Sequence, residues 1–457
     1  MPHSGHPSTT SLRPVLRAAA RGSSRGQAFI FLLPMLAALA AAFLLVFDSG
    51  QAVSEKQRLV NATDAAALGA ATWQSRALNF ESYMNRAVIA NEAAIAQSVS
   101  LRSWSAYMNR LLPGAAALTR WVPLLNGATL VLQRIWAGFD QVLQPGLTAV
   151  EGLLSVVDHD LAGAQRYVHA VALVAVPEVV RGTLAANDPR FRLSQGGELL
   201  LARWAADWVR FTSFYGGAFR WRQADVLRRS SDGFSDSRGV TFSPPLIGSA
   251  LRFEKRGGTE LLDFETWRGM DTISLHARSG VLFGRMREQL PLAWGGAENG
   301  EYSALRGVHG GSLSVNPRGS RLASASLRRQ PAYLGLPSLR DVSVGQREEL
   351  EPPRLVVRAA VSGDELATAP RSLADPRVVD LAGRRPDGVP ARGSSSFAIA
   401  AAEVRFIRLV PRADGARELG SLYNPYWRPR LALPTSVERA MAAAADGVAN
   451  PVLDALP

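Results

Sequence analysis

The chain has 457 residues, enough for two or three domains of ordinary size. It has no cysteine, which excludes disulfides, thiolate catalysis and cysteine-ligated zinc or iron–sulfur sites. The net charge of +12 is almost all arginine, but the arginines are spread along the chain and form no single basic block, so composition does not favour a nucleic-acid partner.

Residues 1–27 form a basic leader with no acid. Arg13, Arg17, Arg21 and Arg25 precede twenty uncharged residues, Ala28 to Phe47. About 20 apolar residues at ~1.5 Å rise cross the ~30 Å hydrocarbon core, so 28–47 reads as a transmembrane helix. Asp48 follows at once. The arginine excess puts the N-terminus in the cytoplasm and the remainder outside. The alternatives are a pilin-type assembly helix and a cleaved secretion signal. The apolar run is longer than the ~7–15 residues of a signal core.

Residues 48–230 read as helical. From Ser49 to Leu112 there is no proline, and Trp73, Ala77, Phe80, Met84, Val88, Ile95 and Val99 recur at helical spacing, which predicts one apolar stripe. Between Asn61 and Ala71 the residues are mostly small, and Ala66 and Ala70 lie one turn apart. Such a face lets helix backbones approach closely. Tyr83-Met84-Asn85-Arg86 is echoed by Tyr107-Met108-Asn109-Arg110, with no fixed period elsewhere. Pro113-Gly114 predicts a break. Further helices are expected at Ala115–Leu143, Leu147–Val180 and Glu198–Arg229, and Asp158-His159-Asp160 reads as a solvated face.

Residues 237–430 read as β-rich. Strands are expected at Leu251–Lys255, Leu261–Trp267, Thr272–Ala277, Leu355–Ala360 and Phe397–Leu409. Segments 296–330 and 364–396 are rich in Gly, Ser, Pro and Arg and read as long loops or partly disordered. In the tail, 431–457, Ser436–Ala445 reads as helix. The fold class is therefore α+β: a single N-terminal transmembrane helix, a long helical region and a β-rich C-terminal region with long loops.

Catalytic patterns are weak. Gly22-Ser23-Ser24-Arg25-Gly26 has the form G-x-S-x-G, but it lies in the leader and not on a strand-to-helix elbow. The six histidines form no helical pair or cluster with acids of the kind zinc needs. No phosphate-binding glycine motif occurs. The expectation is a non-enzyme with no cofactor and no metal.

Arg25-Gly26-Gln27-Ala28 entering the span, Asp48-x-Gly50 leaving it, and the run Lys56 to Ala67, which includes Leu59, Asn61 and Asp64, resemble the N-terminal module of the TadE/TadG-like proteins of tight-adherence (Flp) pilus assembly. The resemblance covers residues 25–71. The segment Ser421-Leu422-Tyr423-Asn424-Pro425-Tyr426-Trp427 is similar to one in long members. Two departures limit what carries over. Phe31 stands where a TadE-type pseudopilin has glutamate, which argues against processing at Gly26. Asp341-Val342-Ser343-Val344-Gly345 is one serine short of the metal motif of a von Willebrand A domain, and too little chain follows it. The resemblance implies a single-pass inner-membrane protein with its bulk in the periplasm, a structural role in pilus or secretion-machine assembly, and cell adhesion as the wider process. Expected partners are inner-membrane lipid, other pilus-assembly proteins and a second copy of the chain, with no nucleic acid. The packing face would comprise Ala66, Ala70, Trp73, Phe80 and Met84. A competing reading is a membrane-tethered module that binds cell-wall or anionic polymer through its arginines.

Overall fold

The computed structural model describes residues 27–245, 250–278, 285–301, 312–343, 353–365, 395–416 and 418–447. The chain divides into two units: residues 1–58 with 361–396, and residues 59–360 with 397–457. The fold is α+β, with long N-terminal apolar helices followed by β-rich sheets. The leader arginines Arg13, Arg17, Arg21 and Arg25 lie outside the described residues, as do 302–311 and 366–394 of the segments expected as loops.

Two helices dominate. α1 runs Gln27–Thr119 and α2 runs Pro123–Asn187. Within the first unit, α1 from Phe29 to Phe47 is apolar and exposed at nearly every position. It is long and apolar enough to cross a membrane. The break expected at Pro113-Gly114 is absent; α1 continues through it to Thr119. α2 likewise passes through Pro145 and Pro177. A proline removes one i→i−4 hydrogen bond, and the turns around Pro113 are tied down from outside the helix. Asn109 Nδ2 donates to Asp140 Oδ2 (2.7 Å) and Arg110 Nη1 to the Trp294 carbonyl (3.0 Å). The chain reverses instead at Arg120–Val122, where Asn126 Nδ2 donates to the Ala116 carbonyl (2.8 Å) and occupies an orphan acceptor of the α1 end.

Shorter elements follow: β1 (Arg192–Leu193), α3 (Gln195–Phe211), β2 (Thr212–Phe214), α4 (Arg220–Ser230), α5 (Gly233–Asp236) and β3 (Val240–Phe242). The helix expected over Glu198–Arg229 is thus split by β2. Next come β4 (Leu251–Leu262), β5 (Thr266–Arg278), β6 (Met286–Gly300), α6 (Ser312–Val315), α7 (Pro317–Ala325) and β7 (Arg328–Gln330). Two expectations need correcting. Leu261–Trp267 is not a strand but contains the β4–β5 turn, where Asp263 and Phe264 adopt positive φ. Outside 302–311, segment 296–330 is not a loop: it completes β6 and contains α6, α7 and β7. Gly296 lies against Leu327 and the Ala323 backbone, and Ser320 is buried. The chain then forms β8 (Arg340–Val342), β9 (Arg354–Ser362), β10 (Ser395–Phe406), β11 (Trp427–Ala432) and α8 (Ser436–Ala445). α8 starts with a capping box between Thr435 and Glu438.

The sheets have the orders β3-β4-β5-β6-β7, β1-β9-β10-β11 and β2-β8. In the first, β3 to β6 form an antiparallel meander and β7 joins β6 in parallel. α1 lies directly on this sheet. A Cβ on Gly295 would collide with the backbone of Ser103 and Tyr107, and one on Gly269 would come within 3.1 Å of Ser103 Cβ. Only glycine admits that approach. The opposite face is covered by α7, whose Gly319 sits against Thr272. The main core joins Val88, Ile95 and Val99 of α1 to Ala162 of α2 and to Leu227, Trp267, Tyr333 and Leu336. A smaller core joins Leu200, Val356, Ala401 and Ala442.

Candidate assembly surface on the long helices

From Leu59 onward, α1 presents two faces. Leu59, Ala62, Ala66, Ala67, Ala70 and Ala71 are completely buried. A Cβ on Gly69 would meet Val179 Cγ1 and Thr183 Oγ1, both at 3.7 Å, so α2 lies over this side. The small residues admit a helix, and that helix belongs to the same chain. The other face holds Asn61, Ala65, Leu68, Arg76, Phe80, Tyr83 and Arg86, all exposed and spaced at three, four or eight residues. Phe80, expected in the packing face, is 36% exposed, while Trp73 and Met84 are half-buried at its margins. Among the remaining motif residues, Asp48 is buried, Gly50 has open space at its Cβ position, and Asp64 is half-buried, with its carboxyl raised by desolvation. Gly26 lies outside the described residues, and Gln27 is the first residue of α1.

The α1–α2 interface is unusually polar. Glu81 Oε1 lies 3.0 Å from His169 Nδ1, and Gln165 Nε2 donates to Asn85 Oδ1 (2.6 Å). Asn91 Nδ2 donates to Asp158 Oδ1 (2.8 Å), Ser98 Oγ to Glu151 Oε1 (2.8 Å), and Arg102 Nη1 to Glu151 Oε2 (2.7 Å). Asp140 accepts from Ser105 and Asn109. Partners on α1 ascend as those on α2 descend, so the helices are antiparallel. The Tyr-Met-Asn-Arg echo acquires a meaning here: Asn85 and Asn109 both reach α2.

Burial perturbs this interior. It pushes the Glu92 carboxyl up to about 8, against the hydrogen bonds Glu92 accepts from Trp267 Nε1 (2.7 Å) and Tyr333 Oη (2.9 Å). It pushes Asp158 up to about 7. Asp158 is thus fully buried, and the solvated face expected at 158–160 is corrected: one of its two acids points into the α1 contact while Asp160 faces solvent. Sequence reading overlooked this set of polar residues. Its signal was the recurrence of Glu81, Asn85, Glu92, Ser98, Arg102, Ser105 and Asn109 at near-helical intervals.

The late segment Ser421–Trp427 docks on α1. Asn85 Nδ2 donates to the Leu422 carbonyl (2.8 Å). Asn79 Nδ2 donates to the Trp427 carbonyl (2.9 Å), and Asn79 Oδ1 accepts from the Trp427 backbone N–H (3.0 Å). Leu422 N–H donates to Asp341 Oδ1 (2.7 Å), which also accepts from the Val342 N–H (2.8 Å), while Oδ2 accepts from the Tyr215 hydroxyl. The acid of the incomplete metal motif is therefore bonded within the fold.

The arginines serve the interior as well. Arg102, Arg238, Arg268 and Arg358 are buried against Glu151, Asp271, Glu298 and Asp446 at 2.6–3.0 Å. A cleft of about 850 Å³ beside α4 is lined by Trp221, Asp225, Arg228, Arg256, Glu260 and Trp267, among others. Its walls carry both signs, and Arg228 pairs with Asp225 (3.2 Å). Among the described residues, no group of three or more His, Asp or Glu side chains is placed to hold a metal ion.

No curated protein and no solved structure matches the chain. A family model described as "Putative Flp pilus-assembly TadE/G-like" matches residues 26–74. That stretch includes the bare apolar segment of α1 and the first turns that the body encloses, and it is a Tad domain of the TadE/G-like kind.

Proposed function

We propose that the chain is a membrane-anchored structural component of a tight-adherence (Flp) pilus or a related secretion machine. The observation that carries this reading is the placement of the Tad domain. Residues 26–74 join an exposed apolar stretch of membrane-spanning length to a helix locked into the body. The leader arginines and Asp48 put the N-terminus in the cytoplasm of a bacterial inner-membrane protein, with the body in the periplasm. The segment acts as a permanent anchor, since Phe31 replaces the pseudopilin glutamate and the apolar run exceeds a signal core. The body acts as a scaffold without a reaction or cofactor of its own.

The surface offered to other assembly components is the outward stripe Leu68, Phe80 and Tyr83. Leu68 and Tyr83 lie about four turns apart on this face, with Phe80 one turn before Tyr83 at i−3, and such apolar side chains suit a partner helix. The alanine face is already occupied by α2. A photo-reactive side chain at Leu68 or Tyr83 in cells should cross-link to other pilus-assembly components. Cross-links no more frequent than from exposed Val240 on β3 would overturn the reading.

A further inference from the structure

The turn between α1 and α2 is an apolar tip with no cover among the described residues. Between Arg110 and Asp140 the only charged residues are Arg120 and Arg134; there is no acid. Asp140, at the base, is engaged by Arg328 (3.0 Å) and by Ser105 and Asn109. Over this stretch Leu124 is 85% exposed, Trp121 79% and Leu118 77%, and Ile135 and Phe139 are also exposed. The Arg120 guanidinium lies over the Trp121 ring, 4.7 Å from its centre. Exposed patches of this extent mark interaction sites.

We propose that the α1–α2 tip is a lipid-docking element that lies in the headgroup–acyl boundary of a bilayer bearing anionic lipid. Three observations select lipid as the occupant. First, Leu130, Val131 and Leu132 are consecutive and all exposed. At 3.6 residues per turn they sweep about 200° around the helix, so a flat protein surface covers only part of them, whereas acyl chains close around them. Second, the tip is cationic, with an exposed tryptophan beside an arginine. This pairing suits the membrane interface, where arginine stems lie along the acyl chains and the heads reach phosphate. Two copies brought tip to tip would face arginine with arginine and supply no acid. Third, the limbs are too short to span. Leu111–Thr119 is about 13 Å long and Pro123–Phe139 about 25 Å, against a core of about 30 Å. The element therefore lies on the membrane and does not cross it. This inference does not depend on the pilus reading.

The absence of cysteine provides the test. Leu124→Cys in the full chain is labelled with an environment-sensitive dye. The protein is then reconstituted into vesicles with brominated acyl chains, made either of phosphatidylethanolamine with phosphatidylglycerol or of phosphatidylcholine alone. The dye should be quenched in the first and far less in the second. Arg120→Gln and Arg134→Gln should each weaken partitioning roughly five-fold. The same dye at Val240→Cys should stay unquenched. Absence of quenching in both vesicles overturns the proposal, as does equal quenching in both. Energy transfer between labelled copies that rises with protein density, without quenching, identifies a second copy as the occupant and also overturns it.

Discussion

The base and the tip of the α1–α2 hairpin belong to the same two helices, yet they place polar and apolar groups in opposite ways. In the base, Glu81, Asn85, Glu92 and Arg102 are inside and Phe80 and Tyr83 are outside. In the tip, leucines face outward with no described residue over them, and the polar residues include Arg120 and Arg134 and the turn-bonded Thr119, Asn126 and Thr129. The difference shows what each end needs. Apolar packing alone would let antiparallel helices slide by a turn, whereas carboxyl, carboxamide and guanidinium pairs are directional and define one register. The tip has no register to hold.

The largest effect that tests this contrast is expected at Arg102. Arg102→Ala leaves Glu151 buried with only Ser98 and Asn299 to donate to it. Breaking one half of a buried pair costs about 3–5 kcal/mol. Denaturant unfolding of the purified chain measures it. A loss below about 1 kcal/mol would mean that apolar contacts hold the base as well.

A smaller, pH-dependent effect is expected at Glu92. Its carboxyl is raised from 4.5 to about 8, so the folded chain keeps a proton that the unfolded chain has lost. Stability from this group is present below 4.5 and falls as pH rises toward about 8. Asp158, raised to about 7, acts in the same direction. Glu92→Gln should remove the Glu92 contribution, so the melting temperature of the variant should gain on that of the parent from the lower to the upper end of this window. A constant difference across it would show that Glu92 is ionised in the fold. The smallest effect is expected at the tip. Leu124→Gln and Ile135→Gln should each change unfolding stability by no more than about 0.5 kcal/mol, because both side chains are already in water. A loss above about 1 kcal/mol would mean that the tip is packed and the contrast with the base is false.

Local physics was legible in the sequence, and tertiary context was not. The α+β class, the apolar stretch before Asp48 and the helix Ser436–Ala445 followed from runs, periodicity and flanking residues. The break expected at Pro113-Gly114 misled because the pair was read for its local cost, whereas contacts from other elements sustain α1 through it. The Asn61–Ala71 face was recognised as a close-packing surface, but nothing local could say that α2 of the same chain fills it. Phe80 followed the helical spacing yet is exposed, while Ala77, Val88, Ile95 and Val99 of the same stripe are buried beside the polar residues. The turn at Asp263-Phe264 carries no glycine to mark it; it depends on the Leu336 N–H, which donates to the Phe264 carbonyl (2.7 Å).

The docking of Ser421–Trp427 on α1 has a consequence for the timing of biosynthesis. Asn85 leaves the ribosome 337 residues before Leu422, the backbone it bonds. At roughly 5–20 residues per second, the interval is on the order of tens of seconds. For that time the carboxamides of Asn79 and Asn85 have only water for this contact, and the side of α1 that Trp427 covers is open. A chain that stops short of Leu422 never closes it. The state of one face of the first helix therefore reports whether synthesis has passed Trp427.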